Sequence, residues 1–97
     1  MRLYIAGPMS NMPEHNIPAF EQAERDLRDE GHDVSNPAQH GAGEGTWADY
    51  MRRDIADLLT CDAVALLPGW ERSKGATLEV HIAEQLEMPI RPIEEWL

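Results

Sequence analysis

Apolar residues recur along the chain with two different periods, and their alternation predicts four strands separated by three helices. Short apolar runs rich in strand formers and closed by Gly-Pro, Asn-Pro or Pro signals are typical of strands. Segments with apolar residues three and four positions apart among charges are typical of amphipathic helices. We therefore expect strands at Arg2–Ala6, 32–37, 62–68 and 88–93, and helices at 18–30, 47–59 and 73–89.

Each expected helix has one apolar face that should pack on a sheet. These faces comprise Phe20, Ala23 and Leu27 in the first helix, Met51, Ile55, Leu58 and Leu59 in the second, and Ile82, Ala83 and Leu86 in the third. A loop over 36–46, which contains three glycines after position 40, is long for a compact domain and indicates function or mobility.

The order β-α-β-α-β-α-β predicts one α/β domain over residues 1–97 with a doubly wound, four-stranded parallel sheet. The strand at 62–68, "DAVALLP", is continuously apolar, which suits a parallel sheet covered on both faces. Ligands bind such sheets beyond the carboxyl ends of the strands. This rule directs attention to "GPMSN" after the first strand and "LPGWERSKG" after the third.

Composition and charge exclude several classes of function. The net charge of −10 opposes attraction to nucleic acid or anionic lipid, although local backbone donors can still hold a small anion. The single Cys61 and the absence of clustered Cys and His spacings suggest no disulfide and no metal site. "MRLYIAGP" is neither a secretory signal nor a membrane span, so we expect a cytoplasmic protein without a membrane partner.

Glu79 is an unusual residue because it falls on the face of the third helix that should meet the core. Burying an ionised carboxylate is costly, so a packing role is unfavourable. The positive end of the helix dipole favours acids near a helix N-terminus, which offers a structural explanation. A partly desolvated carboxylate at the mouth of the sheet is alternatively the environment that a nucleophile or a general base needs.

Other candidates have ordinary structural interpretations when each is taken alone. Asp54 resembles a solvated helix charge, Asp62 a turn or cap residue, and Tyr4 a core aromatic. Trp47 and Trp70 lie in or beside loops at the expected cleft, where either can stack on a base or seal the core edge. No P-loop or GxGxxG pattern is present, but Ser73 and nearby N–H groups suit a single phosphate.

Three motifs together resemble the nucleoside 2-deoxyribosyltransferase superfamily. They are "YIAGPM" at the first strand, Asp54 with Asp62 eight residues later, and "KGATLEVHIA", in which Gly75, Glu79 and Ala83 match G-x-x-x-E-x-x-x-A. The resemblance implies a flavodoxin-like, Rossmann-like three-layer sandwich and cleavage of an N-glycosidic bond. It also implies that Glu79 is the nucleophile, that Asp54 positions the sugar and moves a proton, and that Tyr4 orients Glu79.

The residue six positions before Glu79 distinguishes two branches of this superfamily. It is usually aspartate in the transferases and is Ser73 here, which is similar to the 2′-deoxynucleoside 5′-phosphate N-hydrolases. Substrate-binding residues implied by the resemblance and by the cleft rule are Gly7, Ser10, Asp62, Trp70, Ser73 and Gly75. We therefore expect hydrolysis of a nucleoside 5′-monophosphate without metal or organic cofactor.

Two alternatives to hydrolysis remain open, namely base exchange by a deoxyribosyltransferase and a non-catalytic module that binds a nucleotide. Relatives assemble into oligomers, and a domain this small leaves sheet edges and apolar surface to cover. The expected partners are therefore a nucleoside or nucleotide and further copies of the same chain, in a homodimer or a larger homo-oligomer.

Overall fold

Strands and helices alternate as expected in the computed structural model, which describes residues 1–40 and 45–97. The elements are β1 Arg2–Ala6, α1 Ile17–Asp29, β2 Asp33–Ser35, α2 Trp47–Leu58, β3 Ala63–Leu66, α3 Lys74–Gln85 and β4 Ile90–Pro92. Short 3₁₀ turns lie at Pro13–Asn16, Pro37–His40, Trp70–Arg72 and Ile93–Trp96. The central part of the loop predicted over 36–46, residues 41–44, lies outside the described residues.

The four strands form one parallel sheet in the order β2-β1-β3-β4. Helix α1 packs on one face of the sheet, while α2 and α3 lie on the other, so the predicted doubly wound, three-layer architecture is confirmed. The chain winds in opposite directions from the two central strands, β1 and β3. Such a switch point leaves a crevice outside the carboxyl ends of these strands.

Side chains of β1 alternate between two apolar clusters, as the pleat of a strand requires. Leu3 and Ile5 face α1, and Tyr4 and Ala6 face α2 and α3. The first cluster contains Phe20, Ala23, Leu27, Val34, Ala63, Ala65 and Ile93, and the second contains Leu58, Val64, Ala76, Val80 and Ala83. Tyr4 therefore enters the interior on the side from which α3 presents Glu79.

Helices α2 and α3 begin with side-chain caps that orient their first turns. Thr46 and Asp49 form a reciprocal capping box, in which each side chain accepts a hydrogen bond from the other residue's backbone N–H. Ser73 Oγ accepts a hydrogen bond from the backbone N–H of Ala76 at 3.1 Å. Both helices thus start at defined positions beside the crevice.

The third helix ends earlier than the pattern predicts, which corrects the expected position of Leu86. Glu87 adopts a left-handed conformation with φ of 58°, and Met88 N–H donates to Ala83 C=O at 2.9 Å. These features terminate α3 as a Schellman-type motif does, without a glycine to mark the place. Leu86 is therefore 54% exposed and does not pack on the sheet as its helix face predicted. Leu59, just beyond α2, was expected on an apolar face too and is 57% exposed.

Within residues 1–40 and 45–97, none of the helices is both long and apolar enough to span a lipid bilayer.

Candidate active site

A cavity of about 250 Å³ lies beyond the carboxyl ends of the strands, at the switch point of the sheet. The loop after β1, helix α2 and the first half of α3 supply most of its lining. Its lining includes seven residues that the sequence singled out, namely Gly7, Ser10, Trp47, Asp54, Ser73, Gly75 and Glu79. The cleft rule therefore located the cavity correctly from the element order alone.

Glu79 and Tyr4 form the innermost pair of the site. Glu79 is only 5% exposed and Tyr4 is fully buried, and the Tyr4 hydroxyl donates a hydrogen bond to Glu79 Oε2. Glu79 also lines the cavity, so this carboxyl group is held from below by β1 and faces the open space above. The unusual acid of the core-facing stripe is thus buried, oriented and accessible to a ligand.

The electrostatic environment favours the protonated form of Glu79. Burial raises its pKa to about 8, the hydrogen bond from Tyr4 opposes this rise, and the negative charge of Asp54 adds to it. The pKa of Tyr4 is also raised well above its ordinary value, by burial first and then by the charges of Glu79 and Asp54. Tyr4 therefore stays a neutral hydroxyl that donates to the Glu79 carboxyl group. Glu79 and Asp54 are neighbouring acids, and their mutual repulsion disfavours the ionisation of both.

Asp54 lies on α2 and lines the same cavity, half-buried. Its charge acts on both Glu79 and Tyr4, which places the α2 and α3 carboxylates within electrostatic reach of each other. This arrangement combines a deeply buried carboxyl group of high pKa with a more accessible carboxylate. Pairs of acids in such different environments are typical of sites that divide nucleophilic and proton-transfer roles.

Ser10, Ser73 and Gly75 form the small, polar side of the cavity. Because Ser73 Oγ accepts from Ala76 N–H, its own hydroxyl hydrogen is available for donation to a ligand. A Cβ on Gly75 would approach Met51 Sδ at 3.1 Å, so the start of α3 passes close to α2 at this point. The lining here can accommodate an anionic group beside the first turn of α3.

Gly7 is required for close packing under the site, and replacing it with alanine is expected to destabilise the protein. A Cβ at Gly7 would lie 2.8 Å from Leu67 Cβ, an atom that cannot move without its backbone. Overpacking of this kind costs about 1–3 kcal/mol, which chemical denaturation of Gly7→Ala should measure as a lower midpoint.

The matched control for this prediction is Gly75→Ala, whose new methyl group meets the flexible side chain of Met51 at 3.1 Å and Trp47 Nε1 at an ordinary contact distance of 3.9 Å. This variant should unfold much closer to the parent protein. Equal midpoints for Gly7→Ala and the parent would show that an alanine side chain fits beside Leu67 without destabilising the protein.

Two residues proposed from the sequence lie away from the cavity. Asp62 precedes β3 and therefore occupies the opposite, amino end of the sheet, where its Oδ2 accepts from Arg2 N–H at 2.8 Å. Trp70 is half-buried against the cluster around Tyr4 and is not among the lining residues. Asp62 thus ties two strand ends together, and Trp70 closes the edge of the core.

One face of α2 lines the cavity, and it adds Tyr50 and Met51, with the flanking Arg53, to the Asp54 and Trp47 that the sequence indicated. Trp47, Tyr50, Met51 and Asp54 are spaced i, i+3, i+4 and i+7, and Arg53 flanks them. Lys74 Nζ lies 3.9 Å from the centroid of the Trp47 ring, and Arg53 Cζ lies 5.4 Å from that of Tyr50. The helical spacing is visible in the sequence, but the apolar pattern predicts Met51 as a core residue only.

The described residues contain no group of three or more His, Cys, Asp or Glu side chains arranged to hold a metal ion. The polar side chains that line the cavity carry carboxyl, hydroxyl, imidazole, indole and guanidinium groups.

Comparison with protein families assigns residues 1–91 to a model described as a domain of unknown function, DUF4406. The chain belongs to the DUF4406 family. This DUF4406 chain also superposes on a 2-deoxyribosyltransferase from the psychrotolerant bacterium Bacillus psychrosaccharolyticus with a TM-score of 0.66. The superposition covers 93% of this chain and 69% of that chain at 20% sequence identity, and it establishes a shared fold. No match is found among curated proteins.

Proposed function

We propose that this DUF4406 chain is an enzyme that hydrolyses the N-glycosidic bond of a nucleoside or deoxynucleoside 5′-monophosphate. The observation that carries the proposal is the buried Glu79 carboxyl group, which is oriented by Tyr4 and opens into a cavity also lined by Asp54. The fold shared with a 2-deoxyribosyltransferase supports the same class of chemistry, because glycosyl transfer and hydrolysis differ only in the acceptor.

Glu79 is the proposed nucleophile. Tyr4 holds Oε2, and the other carboxylate oxygen attacks the anomeric carbon C1′ as the bond from C1′ to the base nitrogen breaks. The bonding electrons leave with the base, which takes up a proton. Water then attacks C1′ of the glycosyl ester, releases the sugar phosphate and restores the Glu79 carboxyl group.

Asp54 is the proposed carrier of the proton that the base requires. With a pKa of about 8, Glu79 holds a proton at neutral pH before substrate binds and must lose it before attack. Transfer of this proton to Asp54 and onward to the departing base would charge the nucleophile and neutralise the leaving group together. One proton shared by two acids thus serves both ends of the breaking bond.

Ser73 and Ser10 are the proposed phosphate contacts. Both line the cavity, and the Ser73 hydroxyl hydrogen is available beside the first turn of α3. A serine at position 73 avoids the charge repulsion that a carboxylate there would exert on a phosphate. This supports a nucleotide over an unphosphorylated nucleoside as substrate.

Incubation of the protein with ribo- and deoxyribonucleoside 5′-monophosphates, followed by chromatography, tests the proposal. We expect free base and sugar phosphate, with each deoxynucleotide or ribonucleotide used at least tenfold better than the matching nucleoside. If an added second base becomes incorporated into a new nucleoside or nucleotide, the enzyme is a transferase. If ligands bind but stay intact, the chain is a binding module and the catalytic proposal fails.

A further inference from the structure

Glu24 is a second acidic residue on a helix stripe that faces the interior, and neither the sequence motifs nor the proposed reaction assigns it a role. On α1 it lies four positions after Phe20 and three before Leu27, both of which are fully buried. Its side chain is 17% exposed. Because an apolar side chain would pack there without the cost of removing a charge from water, the burial of Glu24 needs an explanation.

Glu24 accepts hydrogen bonds from the segment that follows β2. Asn36 Nδ2 donates to Oε1 at 3.0 Å, and Gln39 Nε2 donates to Oε1 at 3.0 Å and to Oε2 at 3.2 Å. Arg28 Nε donates to Oε2 at 2.8 Å from the next turn of α1. Burial raises the pKa of Glu24, but the hydrogen bonds from Arg28, Asn36 and Gln39 outweigh it and hold the pKa below its ordinary value. Glu24 is therefore an ionised acceptor at neutral pH.

Asn36 ties the same contact to a fixed turn of the backbone. Its side chain is buried, and its Oδ1 accepts a hydrogen bond from Ala38 N–H at 2.9 Å while its Nδ2 reaches Glu24. The backbone N–H of Gln39 donates to Asn36 C=O at 3.1 Å and closes the turn. Pro37, which lies inside the turn, has a φ fixed by its ring. The segment 36–39 is thus held against α1 by the side chains at both of its ends.

Pro37 is the residue through which this segment meets the cavity, which it lines together with Glu79. Ser35 pairs with Tyr4 across β2 and β1, so the chain leaves the sheet beside the residue that holds the proposed nucleophile. Pro37 follows two positions later, at the carboxyl end of β2. Glu24 lies outside the lining that the described residues form, and the segment that it holds connects it to that lining.

We infer that Glu24 is a positioning residue for the proposed substrate, whose affinity it sets by fixing Pro37 as a rigid wall of the cavity. Without the carboxylate, Gln39 Nε2 loses its acceptor and Asn36 Nδ2 is left with the longer contact to Phe20 C=O, at 3.4 Å. A wall that moves by about 1 Å gives up van der Waals contacts with a ligand although no reacting group has moved. The inference rests on the proposed function for the identity of the ligand and adds the residue that holds the binding wall.

Calorimetry with the Glu79→Gln protein tests this inference without turnover, using the 5′-monophosphates of adenosine, guanosine, cytidine and uridine and their deoxy forms. For the nucleotide that binds best, we expect Glu24→Ala to raise the Kd at least tenfold. Gln39→Ala removes one tie from an exposed side chain and should raise the Kd by a smaller factor. In the active protein, Glu24→Ala should raise KM and leave kcat within about twofold, because the reacting groups are unchanged.

A double-mutant cycle shows whether Glu24 acts through Pro37. Pro37→Gly should weaken binding by itself, since it removes the rigid apolar wall. Adding Glu24→Ala should then raise the Kd by a smaller factor than it does when Pro37 is present, because both changes affect the same wall. Fully additive losses would mean that Glu24 reaches the ligand by another route and would overturn the inference.

Arg28→Ala is the matched control for stability, because Arg28 bonds Glu24 and the Val34 carbonyl of β2 rather than the segment 36–39. It should lower the urea midpoint, as Glu24→Ala does, and leave the Kd within about twofold. Glu21→Ala removes the same charge from an exposed position of α1 and should change neither quantity. If Arg28→Ala raises the Kd as much as Glu24→Ala, ligand affinity merely follows stability and the inference is wrong.

The outcomes distinguish this inference from the proposed reaction. If the parent protein releases no base, yet Glu24→Ala weakens nucleotide binding at least tenfold and Arg28→Ala does not, the reaction is wrong and the positioning role stands. If base is released but Glu24→Ala lowers kcat at an unchanged KM, or leaves both unchanged, the positioning role is wrong and the reaction stands. Absence of binding by every nucleotide overturns the inference.

Discussion

Replacing Glu79 with glutamine is expected to lower the rate of base release by roughly 10³-fold or more, because the variant lacks the attacking carboxylate oxygen. Glutamine has the same shape, and its carbonyl oxygen can still accept the hydrogen bond that Tyr4 donates to Glu79. The cavity should therefore remain formed and continue to bind nucleotide. Initial rates at saturating nucleotide, measured by quantifying the free base, check this expectation.

The control for that experiment is Glu84→Gln, which makes the same chemical change on the exposed side of the same helix. It should retain the parent rate. A Glu79→Gln protein that keeps more than a tenth of the parent rate would mean that another group attacks C1′, and the assignment of the nucleophile would be wrong. Circular dichroism of each variant establishes that helix content is retained.

Raising the pH is expected to destabilise the parent protein more than the Glu79→Gln variant. The pKa of Glu79 is about 8 in the folded chain, whereas an unfolded chain ionises it near 4.5. The folded state thus holds a proton that the unfolded state releases, so the contribution is fully present below pH 4.5 and is lost as the pH rises through 8. Glutamine does not titrate and lacks this dependence.

The size of this effect follows from the difference between the two pKa values. Between pH 4.5 and 9, the variant should gain stability relative to the parent by on the order of 2–5 kcal/mol. Urea unfolding of both proteins at several pH values measures the difference, and titration of the histidines and other acids cancels because both proteins contain them. If the difference in the free energy of unfolding between the two proteins does not depend on pH, Glu79 has its ordinary pKa in the folded state.

Most of the fold was predictable because the apolar periodicity of each segment agrees with the face that the segment buries against the sheet or the helices. The continuous apolar run of β3 indicated a strand covered on both faces, and both apolar clusters do meet it. Helix α1 was predicted at 18–30 and occupies Ile17–Asp29. The end of α3 was mispredicted because Glu87 adopts a positive φ that ordinarily favours glycine, so the sequence contained no stop signal there.

The cavity and the candidate residues that line it were predictable where their position depends on the order of the strands and helices. Glu79 stood out because a carboxyl group on a core-facing stripe needs an explanation, and Tyr4 supplies the hydrogen bond. Asp62 was misassigned because it precedes β3, and a residue before a parallel strand lies at the end opposite the cleft. Arg53 was missed because the rotation of α2 about its axis, which brings it into the cavity, depends on packing.

The hydrogen bond between Tyr4 and Glu79 joins residues that are 75 positions apart in the chain. During translation, β1 leaves the ribosome long before the helix that completes the site, so a growing chain has no assembled cavity until α3 emerges and docks. Detachment of α3 from a mature molecule breaks the same link while β1 and β3 can remain paired. The proposed nucleophile is therefore held by Tyr4 only in a molecule whose third helix is docked, so the proposed activity would require completed folding.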